Sequence, residues 1–394
     1  MRTLAVVTVA RSDFGIYLPM LKRILGDPRL RLHLLVSGMH LSPEFGRTVA
    51  FIEESGIPIA ERIEMLLSSD TPEAISKSMG LGLIGYAQAY SRQRPDLLVV
   101  LGDRFEMLPA ALAALPFRIP VAHIHGGELT MGAMDDALRH SITKLSHLHF
   151  VSTEEYARRV RQMGEESWRV TVCGAPSLDN LKTVPVLSKA QLEPALGFVL
   201  GEPSLLVTFH PVTLEPDKLA WQFGELLRAV ELSNAQAIFT LPNADTAGRQ
   251  LAKHLREFVS SHSKARLVEN LGTELYFNLM RHATVMVGNS SSGIIEAPSF
   301  SLPVVNIGAR QAGRVRGRNV IDVEDGCLNI LNGIHRALAP EFRASLRGLS
   351  NPYWSGQEAS GIVVERLGSI ELDQQLLQKR FCDWPREQRP DAQA

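Results

Sequence analysis

The sequence predicts an α/β fold of two doubly wound domains that face each other across a cleft. Short apolar runs bounded by Gly, Pro or Asp alternate with longer segments of helical periodicity along the chain. Such runs are typical of strands covered on both faces, as in a parallel sheet with crossover helices. At 394 residues the chain also exceeds what one ordinary core accommodates, so two domains are expected.

The first half supplies the strands of the N-terminal domain. In chain order, the predicted strands are LAVVTV, RLHLLVSG, PDLLVVLGD, PVAHIHGG and HLHFVST. After RVTVCGAPSLDN the rhythm breaks in a proline-containing stretch, LKTVPVLSKAQLEPALGFVLGEP. We place the domain junction there, near Val184, because boundaries fall in irregular, proline-rich connections. The predicted domains are therefore residues 1–183 and 184–394.

The second half repeats the alternation. Its predicted strands are SLLVTFHP, QAIFTLPN, ARLVEN, ATVMVGNSSS, PVVNIG and NVIDV, and DKLAWQFGELLRAVEL is a helical segment between them. The segment GIVVERLGSI predicts a last helix, assigned to the second domain, and the charged tail KRFCDWPREQRPDAQA is expected to fray. Ligands of open parallel sheets bind beyond the carboxyl ends of strands, so the residues that follow each strand are the candidates for function.

Charge and cysteine content exclude several classes of protein. The chain carries 41 basic and 42 acidic residues, so no positive excess would attract nucleic acid or an anionic membrane. The opening apolar run LAVVTV is too short for a signal sequence or a membrane span. Cys173, Cys327 and Cys382 are too few and too widely spaced for a disulfide framework. A cytoplasmic protein with neither nucleic acid nor membrane as partner is expected.

A glycine pattern in the first half imitates a dinucleotide-binding fingerprint. Gly80, Gly82 and Gly85 satisfy G-x-G-x-x-G, but the preceding TPEAISKSM has the character of a helix start. The fingerprint requires a strand that feeds a tight turn into a helix. We therefore interpret these glycines as positions where a helix packs closely or bends, and we expect no dinucleotide cofactor.

Two loops of the first half carry charged candidates directly after strands. Arg11 and Asp13 follow the first strand, where Arg beside free backbone N–H groups suits an anionic ligand. A solvated Arg and an Asp cap would explain that loop equally well. Asp103 ends the run LLVVLG and is a candidate general acid or base. Its alternative role is a helix N-cap.

The densest titratable cluster lies in AHIHGGELTMGAMDDALRHSITKLSH. His125 and Glu128 flank two glycines that let backbone approach a ligand. Asp135 opens a helix with Arg139 one turn later, which a surface ion pair would also explain. Carboxylates and histidines after consecutive strands favour proton transfer. The spacing of His123 and His125 fixes no third ligand, so no metal is expected.

The second half supplies candidates for anion and sugar binding. His210 ends the run SLLVTF and either faces the cleft or lies in the core. In VMVGNSSSGIIEA a strand leads through Ser290 and Ser291 into a helix start, which forms a phosphate cradle. Glu296, one turn later, is placed to accept ribose hydroxyls. Arg314 lies in a glycine-punctuated loop, and an Arg fork suits a diphosphate. No Gly-Lys-Ser/Thr follows, which disfavours ATP hydrolysis.

Several segments together resemble one enzyme family. They are VARSDFGIY, VLGDRFE, HIHGGE, DDALRHSITKLSHLHFVSTEEYARRV, FHPVTLE, GNSSSGIIEAPS and VNIGARQAGRVRG. They are similar to the bacterial hydrolysing UDP-N-acetylglucosamine 2-epimerases of sialic acid synthesis, and to relatives acting on UDP-diacetylbacillosamine in legionaminic acid synthesis. The resemblance runs from about residue 3 to the NPYW segment near residue 354. It implies two Rossmann-like domains in a glycosyltransferase-B arrangement, a UDP-sugar in the cleft, no cofactor, and a homodimer or homotetramer.

The resemblance also implies a reaction and residue roles. UDP is eliminated across C1 and C2 to give an acetamidoglycal, and water then adds while C2 gains a proton on the opposite face. Asp103 and Asp135 would transfer protons, and Arg139 would position a carboxylate or the sugar. His210 would support departure of the diphosphate. The residues assigned to substrate binding are Arg11, Asp13, Asn243, Ser290, Ser291, Glu296 and Arg314, together with His210.

One departure from the family pattern leaves two catalytic assignments open. Some members carry Glu where His125 stands, in a motif HIEGGE, and use it as an essential acid or base. Here Glu128 is the only carboxylate of that loop. Either His125 or Glu128 takes over the proton transfer.

Three rival functions share the predicted architecture. A glycosyltransferase would bind a nucleotide sugar between the same two domains, but it needs an acceptor instead of water. A non-hydrolysing epimerase would interconvert UDP-sugars without releasing free sugar. A nucleotide-sugar sensor would have no reason to gather carboxylates around one cleft, because burying them is costly. The carboxylate-rich first domain favours proton transfer at carbon, and the substitution at C4 and C6 of the sugar stays open.

Overall fold

Two parallel sheets organise the chain, which a computed structural model describes over residues 1–43, 48–69, 71–212, 214–241, 248–268 and 271–383. The strands of the first sheet are β1 (Arg2–Thr8), β2 (Leu30–Ser37), β3 (Ile59–Ile63), β4 (Leu97–Leu101), β5 (Val121–Ile124), β6 (Leu148–Val151) and β7 (Val170–Val172). Those of the second sheet are β8 (Ser204–Thr208), β9 (Gln236–Thr240), β10 (Ala265–Val268), β11 (Val285–Gly288), β12 (Val304–Ile307) and β13 (Val320–Val323).

The strand order of each sheet creates a point where the direction of winding reverses. The first sheet runs β3-β2-β1-β4-β5-β6-β7 and the second runs β10-β9-β8-β11-β12-β13. Neighbouring strands pair in parallel, as β1 does with both β2 and β4. The loops after β1 and β4, and those after β8 and β11, therefore flank the two switch points, where open α/β sheets bind ligands.

Helices cover both sheets. In the first half they are α1 (Arg11–Gly26), α2 (Val49–Glu54), α3 (Pro72–Arg92), α4 (Met107–Ala114), α5 (Asp135–Leu145), α6 (Glu154–Gln162) and α7 (Asn180–Thr183). In the second half they are α8 (Lys189–Leu196), α9 (Leu219–Leu232), α10 (Gly248–Ser261), α11 (Gly272–His282), α12 (Ser292–Ile295), α13 (Cys327–Leu338), α14 (Pro340–Ser345), α15 (Ala359–Ser369) and α16 (Gln374–Leu377). Among the described helices, none has the length and apolar character needed to cross a membrane.

The predicted α/β class and the cleft arrangement of two sheets are confirmed. Central strands such as β4 and β8 are buried along their whole length, as expected for strands covered on both faces. The sequence prediction missed β3 and β7. Both lie at the edges of the first sheet; β3 alternates between partly exposed and exposed side chains before its buried last residue, and β7 has only three residues. Neither makes a continuous apolar run.

The C-terminal helix α15 packs against the first sheet instead of the second. Val363 and Leu367 of α15 belong to the buried core formed with β1, β2 and α1. The guanidinium of Arg2 at the start of β1 donates to the carbonyls of Leu367 and, at 2.6 Å, Ile370. The sequence analysis places this helix in the second domain because it follows that domain in the chain. No local sequence pattern shows which of the two sheets such a helix will cover. The junction near Val184 stays a prediction.

The segment after α15 is anchored to the first half over part of the predicted fraying tail. Arg169 is fully buried and donates to the carbonyls of Gln375 and Leu376, each at 2.8 Å. Lys379 Nζ lies 2.8 Å from a carboxylate oxygen of Glu165. The tail is therefore anchored at least as far as Lys379, and residues 384–394 lie outside the described part.

The glycines of the false dinucleotide fingerprint lie inside α3. The hydroxyl of Thr71 caps this helix, so no strand precedes the glycines. A Cβ at Gly82 would lie 2.8 Å from the Met65 methyl, and one at Gly85 would lie 2.5 Å from Cγ2 of Ile63. Close packing is thus confirmed for two of these glycines, whereas Gly80 has no neighbour within 4 Å.

Candidate active site

Asp103 lies at the carboxyl end of β4, beside the switch point of the first sheet. The turn is made by Gly102, whose positive φ of 74° suits glycine. Arg139 of α5 donates to Asp103 Oδ2, and the Thr130 hydroxyl donates to the same oxygen at 3.1 Å. Within the described chain Oδ1 has no hydrogen-bond partner, and the side chain is 20% exposed. One carboxylate oxygen is therefore available to a ligand.

Arginines set the charge of Asp103. Burial alone would raise its pKa, but the positive charges of Arg139, Arg314 and Arg310 outweigh burial and lower the pKa. Asp103 is therefore an ionised carboxylate at neutral pH, which suits a base more than an acid.

His125 follows β5 in an unusual backbone conformation. Its φ is +63°, a region that residues other than glycine seldom adopt. The ring Nδ1 lies 2.6 Å from Glu128 Oε1, and the main-chain N–H donates to the Phe150 carbonyl at 3.0 Å. No described residue hydrogen-bonds Nε2, and this atom is not sealed from solvent. The imidazole is therefore oriented through Nδ1, and Nε2 has no partner in the described chain.

Glu128 is buried among partners for both of its oxygens. Besides His125, Oε1 accepts the Ser152 hydroxyl at 2.9 Å. Oε2 lies 3.1 Å from Nη1 of Arg314 and 3.9 Å from Nη1 of Arg139. Burial opposes ionisation, but the charges of His125 and Arg314 outweigh it and hold the pKa of Glu128 well below its usual range. The carboxylate is therefore charged and fully engaged with protein groups.

Arg139 connects the two candidate loops. It is buried and donates to Asp103, to the His125 carbonyl at 2.6 Å and to the Thr130 hydroxyl at 3.2 Å. The alternative of a solvated surface arginine is therefore wrong. Asp135 begins α5 and is partly buried, and its role in proton transfer stays a prediction.

Arg314 reaches this cluster from the second half of the chain. Its Nε donates to the Leu129 carbonyl at 2.8 Å, and Nη2 donates to the Thr130 hydroxyl at 3.2 Å. With Nη1 directed at Glu128, protein groups occupy all three nitrogens. Arg314 therefore positions Glu128 and the loop around it, and its assignment to substrate binding stays a prediction.

His210 follows β8 at the switch point of the second sheet. Its main-chain N–H donates to Asn289 Oδ1 at 2.7 Å, and Asn289 Nδ2 donates back to its carbonyl at 2.8 Å. Burial, with the charges of Arg310 and Arg104, lowers the pKa of His210 to about 3. Arg104 comes from the loop after β4, so a neutral His210 lies where the two halves meet.

The serine loop after β11 adjoins His210. Gly288 has φ +138°, and a Cβ there would lie 1.9 Å from the Thr208 carbonyl oxygen, so only glycine fits. Ser290 and Ser291 follow and are partly exposed. Arg310 donates to the Asn289 carbonyl at 3.1 Å. Asn289 thus joins His210, Arg310 and the start of the serine loop, and hydroxyl and guanidinium groups are suited to binding phosphate.

Glu296 lies deeper at the same boundary. It is buried and accepts a hydrogen bond from the Ser177 hydroxyl, which belongs to the first half. Burial raises the pKa of Glu296 to about 7. Its assignment to a ribose stays a prediction.

The two candidate residues of the loop after β1 differ in their surroundings. Arg11 is partly buried at the start of α1, burial lowers its pKa, and within the described chain no carboxylate pairs with it. Asp13 is instead buried and accepts the N–H groups of Val9 and Ala10, each at 2.8 Å. Burial raises the pKa of Asp13 to about 6. Asp13 therefore caps the loop, and its assignment as a substrate contact stays a prediction. Asn243 lies outside the described residues.

Sequence reasoning missed two hydroxyl residues of the cluster. Thr130 joins Asp103, Arg139 and Arg314, and Ser152 follows β6 and donates to Glu128. The position of Ser152 directly after a strand was a usable signal, whereas nothing local marks Thr130. No group of three or more His, Cys, Asp or Glu residues in the described ranges is arranged to hold a metal ion.

Comparison with known sequences identifies relatives over nearly the whole chain. The family model described as UDP-N-acetylglucosamine 2-epimerase matches residues 22–365. A Campylobacter jejuni protein named GDP/UDP-N,N'-diacetylbacillosamine 2-epimerase (hydrolyzing) is 40% identical, over 97% of this chain and 99% of its own. A Legionella pneumophila UDP-N,N'-diacetylbacillosamine 2-epimerase (hydrolyzing) is 36% identical, over 96% and 98%. A UDP-N-acetylglucosamine 2-epimerase of Neisseria meningitidis serogroup B is 33% identical, over 86% and 88%.

Solved structures agree with this fold. The Neisseria meningitidis UDP-GlcNAc 2-epimerase bound to UDP-GlcNAc superposes with a TM-score of 0.76 at 20% identity, covering 93% of this chain and 99% of that one. An S. aureus MnaA-UDP co-structure gives a TM-score of 0.77 at 18% identity, covering 93% and 96%. At these identities the structures support the fold, and the family is shown by the sequence matches. The chain therefore belongs to the UDP-N-acetylglucosamine 2-epimerase family.

Proposed function

We propose that the protein is a hydrolysing UDP-sugar 2-epimerase, which converts a UDP-2-acetamido sugar and water into UDP and the free, C2-epimerised sugar. The observation that carries this proposal is the pair formed by Asp103 and His125. Each has one side-chain atom without a hydrogen-bond partner in the described chain, and Arg139 contacts both residues. Two separate proton-transfer groups are what removal and return of a proton at one carbon require.

The first half of the reaction is an elimination. The ionised carboxylate of Asp103 takes the C2 proton, the C1–O bond breaks with its electron pair leaving on UDP, and a C1=C2 double bond forms. The neutral His210, Arg310 and the serine loop converge where the diphosphate would depart, and they stabilise its growing negative charge. Arg11, which has no carboxylate partner among the described residues, supplies a positive charge after β1.

The second half is hydration of the glycal. Water adds at C1, and C2 receives a proton on the face opposite to the one that lost it, which inverts C2. The product is free sugar, so UDP does not return to C1. This separates the proposal from a non-hydrolysing epimerase, and UDP release without any acceptor separates it from a glycosyltransferase.

We propose UDP-N,N'-diacetylbacillosamine as the preferred substrate, in nonulosonic acid biosynthesis, with UDP-N-acetylglucosamine as the weaker one. The support is sequence similarity: two relatives named for the diacetylbacillosamine sugar are 40% and 36% identical, against 33% for a Neisseria meningitidis serogroup B relative named for UDP-N-acetylglucosamine. The test is kcat/KM for UDP release from each sugar. A higher kcat/KM for UDP-N-acetylglucosamine would overturn this preference.

We also propose that the protein is a homo-oligomer. Leu81 and Ile84 of α3 are exposed, as are Leu112 of α4 and Leu115 directly after it, and the two helices pack together. Apolar surface of this kind is typical of protein interfaces. Light scattering on the purified protein measures the mass, and a particle of 43.4 kDa, the mass of one chain, would contradict the proposal.

A further inference from the structure

We propose that His125 is the proton-transfer group of the loop after β5 and that Glu128 is its positioning residue. This inference rests on the proposed function and decides between the two residues that the sequence leaves open. It also gives Arg314 a role, because that residue holds Glu128 from the other half of the molecule.

The contacts of Glu128 exclude it from direct proton transfer. Its side chain is only 2% exposed. Oε1 is shared between His125 at 2.6 Å and Ser152 at 2.9 Å, and Oε2 faces Arg314 at 3.1 Å. A carboxylate must reach a substrate hydrogen with a free oxygen, and Glu128 has none to offer.

His125 has the complementary arrangement. Its Nδ1 faces Glu128, whereas its Nε2 is accessible and has no partner in the described chain. The ring is placed there by a left-handed backbone, at φ +63°, that costs energy for a residue with a side chain. Such strain persists only where surrounding contacts maintain it, and here the His125 carbonyl is held by Arg139 at 2.6 Å.

The pairing gives Glu128 a defined task. A carboxylate that accepts Nδ1–H fixes the histidine tautomer and its orientation, and it stabilises the imidazolium when Nε2 is protonated. Ser152 and Arg314 in turn fix the carboxylate. The mobile proton is thereby confined to Nε2, the ring nitrogen without a partner in the described chain.

The hydration step then balances with groups already present. The His125 imidazolium gives its Nε2 proton to C2, the double-bond electrons form the new C–H bond, and water bonds to C1 and releases one proton to solvent. Neutral His125 recovers a proton from solvent through the open Nε2. Asp103, on the separate loop after β4, removes the original C2 proton and releases it to solvent. In this proposal Asp103 and His125 act on opposite faces of C2, which inverts that carbon.

Arg314 makes the pair depend on both halves of the chain. It lies after β12 of the second sheet, yet it contacts Glu128, the Leu129 carbonyl and Thr130. The main-chain N–H of Leu214 also donates to the Gly132 carbonyl at 3.0 Å. Glu128 is therefore fully anchored only when the two halves meet.

The test compares His125→Gln, Glu128→Gln and the double variant. It measures kcat for UDP release, the rate of hydration of the acetamidoglycal supplied with UDP, and UDP affinity by calorimetry. We expect His125→Gln to lower glycal hydration by about 10²–10⁴-fold with UDP affinity unchanged. Glu128→Gln should lower it by less, and the double variant should be no worse than His125→Gln, because residues that act as a unit are not additive.

Glu165→Gln is the matched control. Glu165 is a second buried carboxylate of the first half. It accepts a hydrogen bond of 3.0 Å from Nε2 of His149 and is not among the residues that contact Asp103. This control should lower thermal stability and leave kcat unchanged. A greater loss of hydration in Glu128→Gln than in His125→Gln would overturn the proposal, as would losses that multiply in the double variant or a parallel loss of UDP affinity.

A rescue experiment keeps the proposal testable if the glutamine variants fold poorly. Glycine adopts φ +63° without strain, so His125→Gly spares the backbone and opens a space the size of imidazole. Added imidazole should restore glycal hydration in a concentration-dependent manner, and less so when Glu128→Gln is also present. No restoration would count against His125. Absence of UDP release by the wild-type protein would instead overturn the proposed function itself.

Discussion

Asp103 illustrates how single side chains set the chemistry of this site. One of its oxygens is held by Arg139 and Thr130 and the other is open, and positive charges lower its pKa in spite of burial. The same division recurs in His125, which is held at Nδ1 and open at Nε2. A reactive atom is thus exposed while the remainder of its side chain is fixed, as preorganised catalysis requires.

Asp103→Asn is expected to abolish most of the activity. The amide cannot accept a proton, so kcat for UDP release should fall by about 10²–10⁴-fold with UDP affinity retained. Asp96→Asn is the matched control, because Asp96 precedes the same strand and accepts the Thr3 N–H at 2.7 Å. The control substitution should lower the free energy of unfolding by about 1 kcal/mol and leave kcat unchanged. Equal kcat in Asp103→Asn and wild type would exclude Asp103 as the base.

The sequence predicted which residues gather at the site better than it predicted what each one does. Asp103 and His125 were identified because they follow central strands. The sequence predicts Asp13 and Arg314 as substrate contacts, and in the structure both are engaged with protein groups. Carboxylates that cap a helix and carboxylates that bind a ligand occupy the same strand-to-helix turns, and the pairing of Arg314 with Glu128 joins residues far apart in sequence.

Helix α3 shows how an element can contradict a motif. Its glycines match a dinucleotide fingerprint, yet they lie in a helix with a Thr cap and with Pro72 in the first turn. The space beside each glycine differs. Gly82 and Gly85 lie close to Met65 and Ile63 of the preceding segment, whereas Gly80 faces open space. Elements of regular periodicity were predictable, whereas the edge strands were not.

Alanine substitutions in α3 distinguish these roles. Gly80→Ala should stabilise the protein by about 0.5–1 kcal/mol, because alanine is favoured in a helix and meets nothing there. Gly85→Ala should destabilise it by about 1–3 kcal/mol, because its Cβ would overlap Ile63. Urea unfolding of both variants measures the difference. If both substitutions were stabilising, the close packing of α3 on Ile63 would be wrong.

At the scale of the whole molecule, the two halves are joined by specific polar contacts and by a returning helix. Arg314 crosses to Glu128 and Ser177 crosses to Glu296, while α15 packs into the first core. The sequence predicted two domains and a cleft. It did not predict these contacts between the two halves, because each one joins segments that are far apart in the sequence.

Arg314→Met tests the contact between Arg314 and Glu128, which joins the two halves. It removes a cation from a buried pair and leaves Glu128 with less compensation, which should cost about 3–5 kcal/mol of stability and lower kcat. Arg318→Met, four positions later at an exposed site, should change neither quantity. Chemical unfolding and kcat measured side by side report the outcome. Wild-type values in Arg314→Met would show that the contact contributes nothing.

Buried histidines predict that acid destabilises the folded chain. Burial lowers the pKa of His40 and His147 to about 4 and that of His123 and His210 to about 3. Between these values and the ordinary pKa of about 6.5, the unfolded chain binds more protons than the folded chain. The free energy of unfolding should therefore fall as the pH is lowered from 7 to 5.

Two carboxyl groups oppose this trend without reversing it. Burial raises the pKa of Asp13 to about 6 and that of Glu296 to about 7, so the folded chain binds extra protons at these two sites on acidification. Glu296→Gln should accordingly steepen the loss of stability in acid. Chemical unfolding at pH 7 and pH 5 measures both effects, and equal stability at the two values would contradict the buried, neutral state of the histidines.

The most direct test of the central claim is proton NMR of the purified protein in deuterated water with UDP-N,N'-diacetylbacillosamine and, separately, UDP-N-acetylglucosamine. The proposed function predicts release of UDP together with a free sugar of manno configuration that carries deuterium at C2. A UDP-sugar that stays intact with both substrates, or a free sugar that keeps its original C2 proton, would contradict it.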